Sequence, residues 1–188
     1  MLSWSSCSWT APNHANIRSV HASHTGANGL GQHVDASAAD KTSGCLSRGG
    51  GLPDPGCTPG AVDPNVSQSN IGSTICTRGY TATVRPSVDV TEKIKRDQMA
   101  AYGLQGQRLA AWELDHLVPL ELAGAPQNVA NLWLQPWDGE ANAHMKDTVE
   151  TYLNREVCRG AIPLVEAQRQ IATDWLSVYR SHGLSPAR

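Results

Sequence analysis

The chain has no strong charge of either sign, no Cys-x-x-Cys pair and no long apolar run. Each lack removes a class of function. Fifteen Lys and Arg against 17 Asp and Glu leave a net charge of −2, which gives no support to a protein that coats nucleic acid through a basic face. From Cys76 onward the count is 12 against 13, so near-neutrality holds without the N-terminal part. Any phosphate contact must then come from a local cluster and a metal. The five cysteines, Cys7, Cys45, Cys57, Cys76 and Cys158, form no Cys-x-x-Cys pair, which argues against a zinc ribbon. No stretch approaches the roughly 18 apolar residues of a membrane helix, so no membrane partner is expected. The N-terminus also lacks a charged segment leading into an apolar one, so no signal peptide is expected in this chain.

What is present divides unevenly. At 188 residues the chain has room for one ordinary domain and a tail. Residues 1–56 contain 30 Ser, Gly, Ala, Thr or Asn and only six charged residues. Such a segment has little apolar surface to offset the ordering cost, about 1–2 kcal/mol per backbone residue. Residues 1–51 are therefore expected to be a disordered extension and residues 52–188 the folded domain. His14, His21, His24 and His33 fall in the extension at irregular spacing and are not read as a metal site. Gly49-Gly50-Gly51-Leu52-Pro53-Asp54-Pro55-Gly56 marks the boundary in turn formers. Of the three cysteines left in the folded part, Cys76 and Cys158 are the favoured pair. A disulfide there would suit a compartment outside the cytoplasm; free buried thiols fit the sequence as well.

Ser73–Cys76 and Tyr80–Val84 read as short β-compatible runs, the second stopped by Arg85-Pro86. Asp89 to Tyr102 reads as a helix, with Asp89 and Glu92 as a capping box. Ala111–Leu120 reads as a strand entering a loop, broken at Gly124-Ala125-Pro126, and Asn131–Leu134 as the returning strand of a hairpin. Two helices follow. In the first, about Asp138 to Val157, Ala141, Met145, Val149, Tyr152 and Leu153 form one stripe, with His144 some 60° to the side of Ala141 at about 100° per residue. The second, about Leu164 to Tyr179 (163–180 at its widest), turns Leu164, Ala167, Ile171, Trp175 and Val178 to the core. The fold class is α+β.

The chemistry concentrates in Asp115-His116-x-x-Pro119, then eleven residues, Asn131-Leu132, then eleven more, His144. Strand, loop, strand, helix is the order of a ββα unit, spanning about residues 111–158. With Gly124, these residues resemble the HNH (ββα-metal, or His-Me finger) endonucleases. The phrases Glu-Leu-Asp-His-Leu-Val-Pro-Leu-Glu-Leu, Asn-Leu-Trp-Leu-Gln-Pro and Ala-His-Met-Lys-Asp look like a bacterial branch of that superfamily. The branch likeness runs from about Leu52 to Tyr179. Many members carry Gly-Gly where this chain has Ala123-Gly124, and the zinc-knuckle cysteines of some are missing.

The resemblance implies a small ββα-metal core with flanking helices and metal-dependent hydrolysis of phosphodiesters. DNA is the favoured substrate, RNA the other choice, and the products are a 5′-phosphate and a 3′-hydroxyl. Asp115 and His144 would hold one divalent cation, Mg²⁺ or Mn²⁺ by the hard donors, with Zn²⁺ or Ni²⁺ permitted by the imidazole. His116 would be the general base, its ordinary pKa of about 6.5 suiting that role. Adjacent strand residues point to opposite sides, so Asp115 and His116 share a site only if the backbone bulges or turns. Asn131 would fix the loop and orient His116, and Lys146 would touch the scissile phosphate as a point charge. Trp112, Trp133 and Trp137 read as core more than as base-stacking platforms. Glu113, Glu121, Asp138 and Glu140 read as solvated, Glu113 being the best placed to support the site. Resemblance and cysteines favour a secreted or periplasmic location. The competing reading is a secreted, disulfide-held binding module on an inactive scaffold of this kind.

Overall fold

The structure, a computed structural model, describes residues 42–49 and 51–186. The tail histidines and residues 1–41 and 50 of the expected 1–51 extension lie outside the described residues. The class is mixed helix and sheet, as expected: helices pack around a small antiparallel hairpin. In chain order the elements are α1 (Tyr80–Val84), α2 (Val88–Ala101), β1 (Trp112–His116), β2 (Leu132–Pro136), α3 (Ala143–Cys158) and α4 (Leu164–Ser181), with short 3-10 turns between them. No helix among the described residues is long and apolar enough to cross a membrane.

Two sequence readings are corrected at the N-terminal side. The runs Ser73–Cys76 and Tyr80–Val84 are not strands: Ile71–Ser73 is a 3-10 turn and Tyr80–Val84 is the helix α1. Gly79 precedes α1 at φ +86°, and the Thr83 hydroxyl donates back to the Tyr80 carbonyl at 2.7 Å, so the threonines satisfy local backbone groups in place of a ladder. The start of α2 also differs. It begins at Val88 after the extended Ser87 with no side-chain cap, and Glu92 pairs with Arg96 one turn on instead of reaching back to Asp89.

β1 and β2 pair in register from Trp112↔Pro136 to His116↔Leu132. Because side chains alternate across a strand, Glu113, Asp115, Trp133 and Gln135 share one face of the hairpin, and Trp112, Leu114, His116, Leu132 and Leu134 share the other. α3 starts at Ala143, five residues after the expected start at about Asp138. Gly139 turns the chain at φ +105°, and the Asn142 side chain caps the helix by accepting from the Met145 N–H at 3.1 Å.

The core lies where α3 and α4 meet the loop after β1. Val149, Leu153 and Val157 pack with Leu164, Ala167, Ile171, Trp175 and Val178, closed by Leu117, Val118, Leu122 and Trp133. All five α4 positions expected to face inward are buried. The helix is interrupted at Asp174 (φ −164°, ψ 71°), whose Oδ1 accepts from the Ser177 N–H at 3.0 Å and so caps the second half.

Two disulfides hold this frame. Cys76–Cys158 ties the segment before α1 to the end of α3, the pairing favoured from sequence. Cys45–Cys57 is the second. Cys45 is buried, and its N–H donates to the Ala101 carbonyl at the end of α2 at 3.0 Å. Composition places Cys45 in the extension, because it does not reveal a cross-link.

Candidate functional site

The loop from Leu117 to Asn131 positions the candidate residues, and Asn131 is its clamp. Asn131 is fully buried. Its Oδ1 accepts from the Val118 N–H at 2.8 Å, and its Nδ2 donates to the carbonyls of Val118 at 2.9 Å and Ala125 at 3.2 Å. One side chain thus satisfies three backbone groups on both limbs of a buried loop, which would otherwise cost roughly 1–3 kcal/mol each. Gly124 makes the approach possible: a Cβ there would sit 1.7 Å from the Val118 carbonyl oxygen and 2.7 Å from Asn131 Nδ2. Its neighbour Ala123 takes φ +60°, a conformation glycine adopts more readily.

His116 ends β1 and is 8% exposed. Its Nε2 lies 2.9 Å from the Pro126 carbonyl oxygen. A carbonyl can only accept, so Nε2 carries the proton and Nδ1 keeps the lone pair. Burial, partly offset by this bond and by Asp115, lowers the imidazole pKa. The ring is therefore neutral near pH 7, with one nitrogen tied to the loop and the other able to accept a proton.

Asp115 lies on the opposite face of the hairpin, and the register shows no bulge between the two. They are joined through the backbone instead. Asp115 Oδ1 accepts from the His116 N–H at 2.7 Å. Asp115 Oδ2 is 2.7 Å from Lys146 Nζ, which donates to the His116 carbonyl at 2.8 Å and pairs with Glu150 as well. The Asp115–Lys146 ion pair thus grips both backbone polar groups of His116.

Lys146 has no exposed surface. It joins Val149 and Leu153 in the buried stripe of α3, while Met145 packs partly buried against the same core as expected. Burial alone would lower its pKa, but Asp115 and Glu150 more than offset that and hold it above the ordinary value. It is a charged ammonium enclosed by protein oxygens, so it is not presented to a phosphate as expected. Burial pushes the Glu150 carboxyl up in turn.

His144 stands elsewhere. It is exposed, and its ring lies 5.2 Å from that of Trp137, tilted by 37°. Among the other acids, Asp138 and Glu140 are exposed as expected, but Glu113 and Glu121 are half-buried. Burial, then Asp115 and Asp147, push the Glu113 carboxyl up to about 7. Burial also raises Glu121 and Asp147. The donors are of the hard type a divalent cation prefers, but their placement does not fit one. Both Asp115 oxygens are engaged by protein groups, His144 rests on Trp137, and among the described residues no three His, Cys, Asp or Glu side chains converge to hold a metal.

Four participants escaped the sequence reading. Glu150 was detectable, since it follows Lys146 by four residues on a helix. The Pro126 carbonyl left no signal because every residue has one. Gln135 is fully buried opposite Glu113, with neither amide atom partnered. Arg85 is exposed just after α1, within electrostatic reach of Glu113, His116 and Asp147. No protein-family model matches the chain, and no curated protein or solved structure matches it either.

Proposed function

We propose that the chain is an endonuclease of the HNH kind, hydrolysing phosphodiester bonds in DNA or RNA with His116 as general base. The observation that carries the reading is the Nε2 contact of His116 with the Pro126 carbonyl, which leaves Nδ1 free to take a proton from an attacking water. The lowered pKa keeps that nitrogen unprotonated at neutral pH. Asn131 supports this reading by fixing the loop that carries Pro126, and the β1–β2–α3 order agrees with it. Arg85, exposed beside the acidic cluster, is a better candidate than Lys146 for the phosphate contact. No step is assigned to a cation, because Asp115 and His144 as placed do not fit one. The two disulfides support a secreted or periplasmic location.

Plasmid nicking by the full chain, with Mg²⁺, with Mn²⁺ and with chelator, tests the reading against folded His116→Ala. Activity in the wild type that the variant loses is the expected result. Equal traces in all three conditions would remove the enzyme reading. They would leave the binding module on an inactive scaffold, which the enclosure of Asp115 by Lys146 favours.

A further inference from the structure

The resemblance implies a divalent ion at Asp115, and that position already holds a cation. Three oxygens converge on Lys146 Nζ: Asp115 Oδ2 at 2.7 Å, the His116 carbonyl at 2.8 Å and a Glu150 carboxylate oxygen. Two carboxylates and a carbonyl are hard donors of the kind that bind Ca²⁺ at 2.3–2.6 Å or, more tightly drawn, Mg²⁺ at 2.0–2.1 Å. Here they surround an ammonium on a fully buried stem, with Val149 and Leu153 further along the same helix stripe. An ion entering this cage would have to expel a charged lysine that has no exposed surface. Leaving either carboxylate unpaired in the interior is costly, several kcal/mol for a broken buried pair.

We propose that the Lys146 ammonium is the resident cation of the site: it takes the place of a divalent ion at Asp115, and its neutralisation turns the three oxygens around it into a divalent-cation site. The claim goes beyond the proposed activity and stands whether or not the chain cleaves nucleic acid, because it concerns what Asp115 binds. Lys146→Gln is the informative variant. It removes the charge, shortens the side chain and leaves an amide oxygen able to serve as a further ligand.

Two measurements test this without using activity. Crystals of the full-length wild type grown in Mn²⁺ are examined by anomalous scattering. The expected map has no manganese bonded to the Asp115 carboxylate; a manganese peak there with Lys146 displaced overturns the proposal. Calorimetry with Mn²⁺ and Ca²⁺ on Lys146→Gln is expected to show a single site that the wild type lacks and that adding Asp115→Asn abolishes. A folded Lys146→Gln that gains no site overturns the second half. If that variant does not fold, the wild-type map decides. Loss of the nuclease reading in the nicking assay would alter neither result.

Discussion

Glu113 stands directly opposite Gln135 across the β1–β2 hairpin, and neither Glu113 Oε2 nor either atom of the Gln135 amide has a hydrogen-bond partner. With Asp115 Oδ2, whose close neighbour is the Lys146 ammonium, and the unpartnered indole nitrogen of Trp133, they give one face of the hairpin a concentration of buried polar atoms. Such groups cost stability wherever they are desolvated and unpaired.

The pH dependence of stability follows from Glu113. Its carboxyl titrates at about 7 in the folded chain against an ordinary 4.5, so the folded state holds the proton more tightly than the unfolded one. Stability from this group is greatest below about pH 4.5 and is lost as pH rises through 7. Glu113→Gln is expected to gain on the wild type across that window, by on the order of 1 kcal/mol once solvent screening is allowed for. Urea unfolding of both proteins at pH 5 and pH 8 checks it; a constant difference between them would refute the assignment. His116, with its lowered pKa, acts in the opposite sense and is common to both proteins.

Asn131→Ala removes three bonds from a buried loop. A loss of about 3 kcal/mol or more in unfolding free energy, measured by denaturant titration, is expected, and the His116 side-chain resonances should shift as Pro126 is released. Asn131→Asp keeps the acceptor for Val118 N–H but loses both donors, and should be impaired as well.

The two neighbours in this loop should respond in opposite directions. Gly124→Ala would drive a Cβ into the Val118 carbonyl, and only a shift of the backbone can relieve it. The variant should be among the least stable single substitutions in the chain. Ala123→Gly relieves a positive φ and is expected to stabilise by about 1 kcal/mol, reduced by the greater freedom of glycine in the unfolded chain. Thermal melts of the pair decide the signs.

Cys76 and Cys158 close a loop of 82 residues. Removing the cross-link with Cys76→Ser and Cys158→Ser together should cost about 4 kcal/mol on a chain-entropy estimate. The second disulfide spans only 12 residues, and its loss should be milder by the same estimate. Unfolding under reducing and non-reducing conditions separates the two.

Much of this was legible in the sequence where one residue acts through its own periodicity or turn chemistry. The α4 stripe, the hairpin and the break at Gly124 came from spacing and residue type; the role of Asn131 came only from the family resemblance. Lys146 did not. A lysine on a helix reads as solvated, and its burial depends on Asp115 arriving from a strand some thirty residues earlier and Glu150 from the next turn. The threonine-rich segment before α2 misled for a related reason. Alternation of Thr with apolar residues suits a strand only if a partner strand lies alongside, and a disulfide and a left-handed glycine gave the chain another course. The sequence reading puts Asp115 and His116 in one site through a bulge or turn, whereas the regular register sets them on opposite faces of the hairpin.

Trp175 near the end of α4 donates its indole N–H to the Gly51 carbonyl at 2.8 Å, across 124 residues of chain. A Cβ on Gly51 would collide with that indole ring and with Ala141. The contact ties the segment before α1 to α4, so it cannot form during synthesis until that part of α4 has left the ribosome. Up to that moment the apolar faces of α3 and the loop after β1 lack their cover. The nascent chain depends on α4 to end the interval in which it can aggregate.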